Sequence, residues 1–167
     1  VRAEHDGMKV IFEGRKGKER IVRKEHPDGT RVVYEGEKGK ERMVRKNKAD
    51  GLTMFYEGEA GDERAVIVER ADGTKLVLEG EHDAERVVRE EHADGVTIFF
   101  EGSQGEERVV CVQRADGTRL YYEGQQAQER MVRKESADGT KVFYEGGQET
   151  ERVVRKERAD GIKVFYS

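Results

Sequence analysis

A chain of 167 residues with 41% charged and only 34% hydrophobic side chains has little material for a thick globular core. Its 32 basic and 36 acidic residues leave a net charge of -4 and alternate along the chain; nucleic-acid binders instead concentrate basic charge on one element, so that class is set aside. Low hydrophobicity is also a mark of disorder, but the apolar residues here recur at fixed places, and that argues for a folded chain.

No apolar run approaches the ~18 residues of a membrane span, and no charged segment followed by an apolar one opens the chain. Its location is therefore unassigned, with the cytoplasm as the default expectation. The single cysteine, Cys111, excludes a disulfide framework and a multi-cysteine zinc site.

From the start of the chain, Asp-Gly pairs begin at Asp6, Asp28, Asp50, Asp72, Asp94, Asp116, Asp138 and Asp160, each step being 22 residues. Glu-Gly pairs from Glu13 to Glu145 and Glu-Arg pairs from Arg20 to Arg152 keep the same step. A valine two residues after each of those arginines, from Val22 to Val154, completes the frame. Such a period signals stacked repeats. The units are 6–27, 28–49, 50–71, 72–93, 94–115, 116–137 and 138–159, with partial units at both ends, forming one repeat-array domain over 1–167. The leading fragment is one residue short before Asp6, so that end is expected to be irregular. A chain that starts at Val1 and stops in mid-repeat at Ser167 is expected to be a fragment of a longer array.

A 22-residue period also fits about six helical turns. Each unit, however, carries at least two glycines, and each interior glycine costs a helix about 1 kcal/mol relative to alanine. Between them lie runs such as Val142-Phe143-Tyr144 and Val153-Val154-Arg155, rich in the residues that strands favour. Each unit therefore reads as strand A (such as Thr140 to Glu145), a glycine-bearing loop, strand B (such as Glu151 to Glu157) and an Asp-Gly turn. Asp-Gly between two such runs predicts a two-residue type I′ hairpin. Short connections at both ends make neighbours antiparallel. The predicted fold is all-β: an extended, twisted, single-layer antiparallel meander of about fifteen strands, spanning roughly 70 Å before twist and coiling. Far-UV circular dichroism should show strand and almost no helix, and a helical spectrum would overturn the reading.

With two-residue turns, Glu145 should oppose Arg152, Tyr144 Val153 and Phe143 Val154, while Arg155 meets Tyr166 across the next turn. One face then carries Phe and Val with lysines, and the other Val, Tyr and Met beside arginine stems. Neither face is dry, as expected where long charged stems cover apolar stripes.

The recurring Tyr-Glu-Gly after each Asp-Gly strand (Tyr34-Glu35-Gly36, Tyr56-Glu57-Gly58, Tyr122-Glu123-Gly124, Tyr144-Glu145-Gly146) resembles the MORN repeat family. The resemblance implies hairpins in an extended twisted sheet, and roles in scaffolding and membrane association.

No catalytic, cofactor or metal residues are expected. His26 and His92 occupy equivalent slots before the turn, with His5 nearby, but equivalent slots lie about 9–10 Å apart per unit, too far to share a metal. The same spacing separates the turn aspartates, while calcium needs several oxygens at about 2.3–2.6 Å. Those aspartates are turn formers. A single-layer sheet offers no enclosed pocket for catalysis.

Two central units depart from the pattern. Strand B reads Ala65-Val66-Ile67-Val68 and Val109-Val110-Cys111-Val112 where others read Val-Arg-Lys or Val-Arg-Glu. Their A strands also gain apolar starts. The predicted register pairs Ile67 with Leu78, Val68 with Val77, Cys111 with Tyr122 and Val112 with Tyr121. A contact surface for a protein partner or a second copy is expected over Leu52, Met54, Phe55, Ile67, Val68, Val77, Leu78, Val96, Ile98, Phe99, Cys111, Val112, Tyr121 and Tyr122, because large apolar patches mark interaction sites; internal packing is the competing reading. The expected function is a non-enzymatic scaffold acting through protein contacts or self-association, with peripheral membrane or anionic-surface binding as the alternative.

Overall fold

The computed structural model describes residues 1–167 and contains sixteen strands and no helix. Contacts divide the chain into two compact units, Val1–Glu85 and Arg86–Ser167. The first contains β1 (Arg2–His5), β2 (Met8–Glu13), β3 (Arg20–Glu25), β4 (Arg31–Glu35), β5 (Arg42–Asn47), β6 (Thr53–Glu57), β7 (Arg64–Glu69) and β8 (Lys75–Glu79). The second contains β9 (Arg86–Glu91), β10 (Thr97–Glu101), β11 (Arg108–Gln113), β12 (Arg119–Glu123), β13 (Arg130–Glu135), β14 (Lys141–Glu145), β15 (Arg152–Glu157) and β16 (Lys163–Phe165). Within each unit the spatial order of the strands is their chain order, and every pairing is antiparallel. The predicted meander is thus present, with one strand more than expected because the leading fragment itself forms β1.

The Asp-Gly turns differ from the expected type at seven of the eight sites. In the turn after β3, Gly29 N–H donates to the His26 carbonyl at 3.0 Å and His26 N–H to the Thr30 carbonyl at 2.8 Å. Pro27 and Asp28 are the central residues of a type I turn, and Gly29, at φ +85°, is the left-handed residue that closes a three-residue loop. The same pair of bonds recurs up to Gly161 with Arg158. Each Asp accepts from the backbone N–H two residues on, as Asp28 does from Thr30 at 2.8 Å. Only Asp6-Gly7 forms the two-residue turn, with both φ angles positive (49° and 76°) and His5 opposite Met8. The residue missing from the leading fragment is the one that separates the two turn types. Successive turns also stack closely: a Cβ on Gly29 would lie 3.1 Å from the Ala49 Cβ, and on Gly7 3.1 Å from the Pro27 ring. That contact accounts for the small or compact residue before each Asp from Asp28 onward.

A second irregularity lies within the hairpins. Phe12 opposes Ile21, but Ile11 opposes Arg23, so Val22 is an extra residue in a β-bulge. Val44, Val66, Val110, Val132 and Val154 repeat the bulge. The valine that marks the sequence frame is thus the bulged residue.

Turn and bulge together correct the predicted register. Glu145 opposes Arg152 and Tyr144 opposes Val153 as expected, but Phe143 opposes Arg155, and Arg155 opposes Phe165 rather than Tyr166. The arginine and lysine stems consequently exchange faces. One face carries rows such as Arg23–Val33–Arg45–Phe55, the other rows such as Lys24–Val32–Lys46–Met54. On the first, the Arg133 and Arg155 guanidinium groups lie 3.8 Å from the ring centroids of Tyr121 and Phe143. On the second, Val32 between Lys24 and Lys46 is only 5% exposed, although the sheet is one layer thick. The methylene stems of the lysines provide its cover.

At the opposite edge the hairpins splay apart. β5 meets β4 over five residue pairs but β6 over only three, which leaves the start of β5 without a strand on that side. Side chains fill the gap. Glu63 Oε1 accepts from Met43 N–H at 2.9 Å and Oε2 from Gly61 N–H at 3.1 Å, so one carboxylate ties its own loop to the preceding hairpin. Glu41, Glu85, Glu129 and Glu151 reach back in the same way to Ile21, Ala65, Val109 and Met131. The adjoining arginine reaches forward: Arg20 and Arg64 donate to the carbonyls of Gly36 and Gly80 at 3.0 and 2.9 Å. The Glu41-Arg42, Glu63-Arg64 and Glu129-Arg130 pairs therefore each hold both neighbours.

Acid should loosen this edge. The Glu41 carboxyl lies below its ordinary 4.5 because its own backbone N–H and that of Ile21 stabilise the anion. At Glu63 burial pushes the value up, but the N–H groups of Met43, Glu63 and Gly61 together outweigh it and the net shift is downward. Asp28, Asp72, Asp116 and Asp138 lie below 3.8, chiefly through the backbone N–H of the residue two positions on. Carboxyls depressed in the folded state stabilise it above their unfolded pKa and lose that contribution as pH falls through the folded value. The melting temperature should hold down to about pH 5 and fall progressively below it. Glu41→Gln with Glu63→Gln should lower the plateau and flatten the acid limb. Melting curves from about pH 3 to pH 7 check both.

Candidate contact surface

The two irregular strands replace both the arginine and the lysine of the usual pattern, one on each face. In the first unit, Ile67 stands between Phe55 and Val77, and on the other face Val68 stands between Met54 and Leu76. In the second unit, Cys111 stands between Phe99 and Tyr121, and Val112 between Ile98 and Leu120. Each replaced cation thus leaves an unbroken apolar row of three strands. The rows form because β-branched and aromatic side chains directly opposite one another pack across a pleated pair.

The expected contact residues are placed as follows. Phe55, Ile67, Val77, Phe99, Cys111 and Tyr121 share the arginine face of their units, whereas Met54, Val68, Ile98 and Val112 lie on the lysine face. Leu52 and Val96 close the turns, their N–H groups bonded to Asp50 and Asp94 at 3.0 Å. All are half-buried. Leu78 and Tyr122 are not the partners of Ile67 and Cys111; Tyr122 opposes Met131. Leu76 and Leu120, missed in the sequence, take the places opposite Val68 and Val112. Leu120 is among the most buried apolar residues of the chain, 9% exposed. The signal that locates them is the short leading fragment, which shows that ordinary turns contain one residue more.

Cys111 is a free, half-buried thiol. Burial raises its pKa, against the opposing pull of Arg119 and Arg133, so it behaves as a small apolar side chain between two rings. Tyr56 and Tyr122 are likewise raised by burial.

Around the second apolar row the arginine face is grooved. Val110, Tyr121, Val132, Arg133 and Phe143 line one shallow groove, and Val132, Phe143, Val154, Arg155 and Phe165 line its equivalent one repeat on. The bulged Val132 lines both grooves. No three His, Cys, Asp or Glu side chains converge as a metal set would. No family model matches the chain, and no curated protein matches it.

Proposed function

We propose that this protein is a non-enzymatic repeat scaffold that binds protein, a second copy of itself included, through the faces of its sheet. The observation that carries the reading is the loss of Arg and Lys together at Ile67-Val68 and Cys111-Val112, with apolar residues on both flanking strands of each row. Elsewhere the same positions hold charged stems that keep the faces wet. Removing those stems at matched places makes apolar surface available to a partner.

The test restores the repeat. In Ile67→Arg with Cys111→Arg, each new guanidinium has a ring opposite it, Phe55 for one and Phe99 or Tyr121 for the other, as Arg155 has Phe143. The double variant should keep its melting temperature and lose association, measured by sedimentation velocity and by cross-linking to bound protein. A fall of several kcal/mol in stability would instead show that the rows serve internal packing. Unchanged melting with unchanged association would refute both readings.

A second reading, binding of an anionic membrane surface in the manner of MORN-like repeats, rests on the loops of the β2–β3 and β4–β5 hairpins. Arg15, Lys16, Lys18, Lys38 and Lys40 are all exposed there, and Lys38 Nζ reaches the Gly17 carbonyl at 3.1 Å, bringing the two loops together. Salt-sensitive flotation with anionic vesicles, lost on replacing these five residues by serine, is the expected result of this reading.

A further inference from the structure

The arginine face of the second unit carries one ring per repeat along a single row. Phe99, Cys111, Tyr121, Arg133, Phe143 and Arg155 stand opposite one another in turn from β10 to β15. Phe99, Tyr121 and Phe143 are thus two strands apart, a step of about 9–10 Å. The grooves beside the row keep that step. Tyr121, Val132, Arg133 and Phe143 line the first, and Val132, Phe143, Val154 and Arg155 the next.

One cation of this face lacks an anion. Arg23, Arg89 and Arg155 each pair with the glutamate two residues further on, at 3.1, 2.8 and 3.4 Å. Arg133 has Glu135 at that place, but Glu135 is drawn away by Lys141 at 3.8 Å and by the Tyr121 hydroxyl at 3.5 Å. The Arg133 guanidinium keeps only the Tyr121 ring, 3.8 Å from its centroid, and its Nε has no hydrogen-bond partner. Glu123, at the rim of the first groove, is held by Arg130 at 3.6 Å and does not compete for it. A stacked guanidinium without a carboxylate complements an acidic group on a partner.

The step along the row selects the shape of an occupant lying across the strands. A polyproline II chain rises about 3.1 Å per residue with three residues per turn, so every third side chain returns to one side after about 9.3 Å. An extended strand returns a side chain after two or four residues, about 7 or 13 Å. A helix does so after seven, at about 10.5 Å, and slips by about 1 Å per repeat. We propose that this face binds a proline-rich, acidic segment of another protein in the polyproline II conformation, with prolines in successive grooves and a carboxylate on Arg133. Aromatic-lined grooves suit proline rings, and the preformed conformation limits the ordering cost. This names the partner class for the protein-binding reading above and rests on that reading.

Fluorescence anisotropy with a labelled peptide of repeating Pro-Pro-Glu triplets tests it, with thermal melting of each variant as the check on folding. Saturable binding is expected. Pro-Pro-Lys triplets (the same conformation with the charge reversed), Gly-Gly-Glu triplets (the same charge without the conformation) and an acidic helical peptide should all bind more weakly. Arg133→Gln, which keeps the stem, should weaken Pro-Pro-Glu binding on the order of tenfold. Phe143→Leu removes the ring common to both grooves and should weaken it to a similar degree. Arg133→Glu should exchange the preference in favour of Pro-Pro-Lys. The peptide comparison on the unaltered chain decides the matter even where a variant melts early. No saturable binding, equal binding of the Pro-Pro-Glu and Pro-Pro-Lys peptides, tighter binding of the helical peptide, or indifference to folded Arg133→Gln and Phe143→Leu would each overturn the proposal. If no peptide binds while association is still lost with Ile67→Arg and Cys111→Arg, this occupant is rejected and the broader reading stands.

Discussion

Gly36→Ala should lower stability by about 3 kcal/mol or more, a fall in melting temperature of roughly 10 °C. Gly36 sits at φ +114°, a conformation that side chains rarely adopt, and a Cβ there would lie 2.5 Å from the Lys40 carbonyl oxygen and 3.3 Å from the Glu41 Cα. The obstruction is backbone on both sides, so neither neighbour can swing away. Moving Glu41 would also displace the carboxylate that holds Ile21. Gly39→Ala, in the same loop, is the control. Its φ is +80° and nothing lies within 4 Å of where the new methyl would stand, so only the left-handed penalty of about 1 kcal/mol applies. The chain already contains this comparison. The Gly39 position is also held at positive φ, 60° to 63°, by Asp83, Ala127 and Glu149 in later loops, whereas the Gly36 position is glycine in every loop. Equal losses from the two substitutions in chemical denaturation would contradict the steric account.

Leu120→Ala should cost about 2 kcal/mol, the lower end of the range for a buried leucine, because the sheet covers it with neighbours rather than with a second layer. It stands between Val112 and Lys134, and removing it leaves a gap that the lysine stem can partly fill. Val164→Ala, on the open edge strand and 40% exposed, should change stability by less than about 0.5 kcal/mol in the isolated chain. Parallel denaturant titrations compare the two. A Leu120→Ala loss no greater than that of Val164→Ala would mean that apolar rows on this sheet contribute nothing through burial.

The sequence carried the architecture because two signals recur without exception: turn glycines at a fixed interval, and β-branched or aromatic runs between them. Antiparallel order followed from the shortness of the connections. The pairing of Glu145 with Arg152 was legible for the same reason, since the loop between them is bounded by residues of fixed spacing. What was misread is the phase of the other pairings. Asp-Gly alone does not distinguish a two-residue turn with Asp at positive φ from a three-residue turn in which only Gly is left-handed. The bulge at Val22 and its equivalents has no compositional mark either, because valine suits a regular strand equally well. Each irregularity shifts the register by one, so a test of one hairpin against the next is satisfied by either phase. The consequence fell on the candidate surface: the predicted phase sets Phe55 opposite Val66 instead of Ile67, Leu78 and Tyr122 stand in for Val77 and Tyr121, and Leu76 and Leu120 are overlooked.

The reach of one glutamate into the preceding hairpin also governs how such a molecule comes apart. Within a hairpin, five backbone pairs and a Glu–Arg ion pair close a short loop; between hairpins there are three pairs and a carboxylate. The weaker joint is therefore the one between repeats, and it is partly made of side chains that protons can neutralise. Melting should then proceed by whole hairpins, with cooperativity set by the joints between them rather than by any common core. Amide exchange would read this directly: the N–H groups of Met43 and Ile21, protected only by Glu63 and Glu41, should open in mild acid while the hairpin amides of Arg45 and Asn47 stay closed.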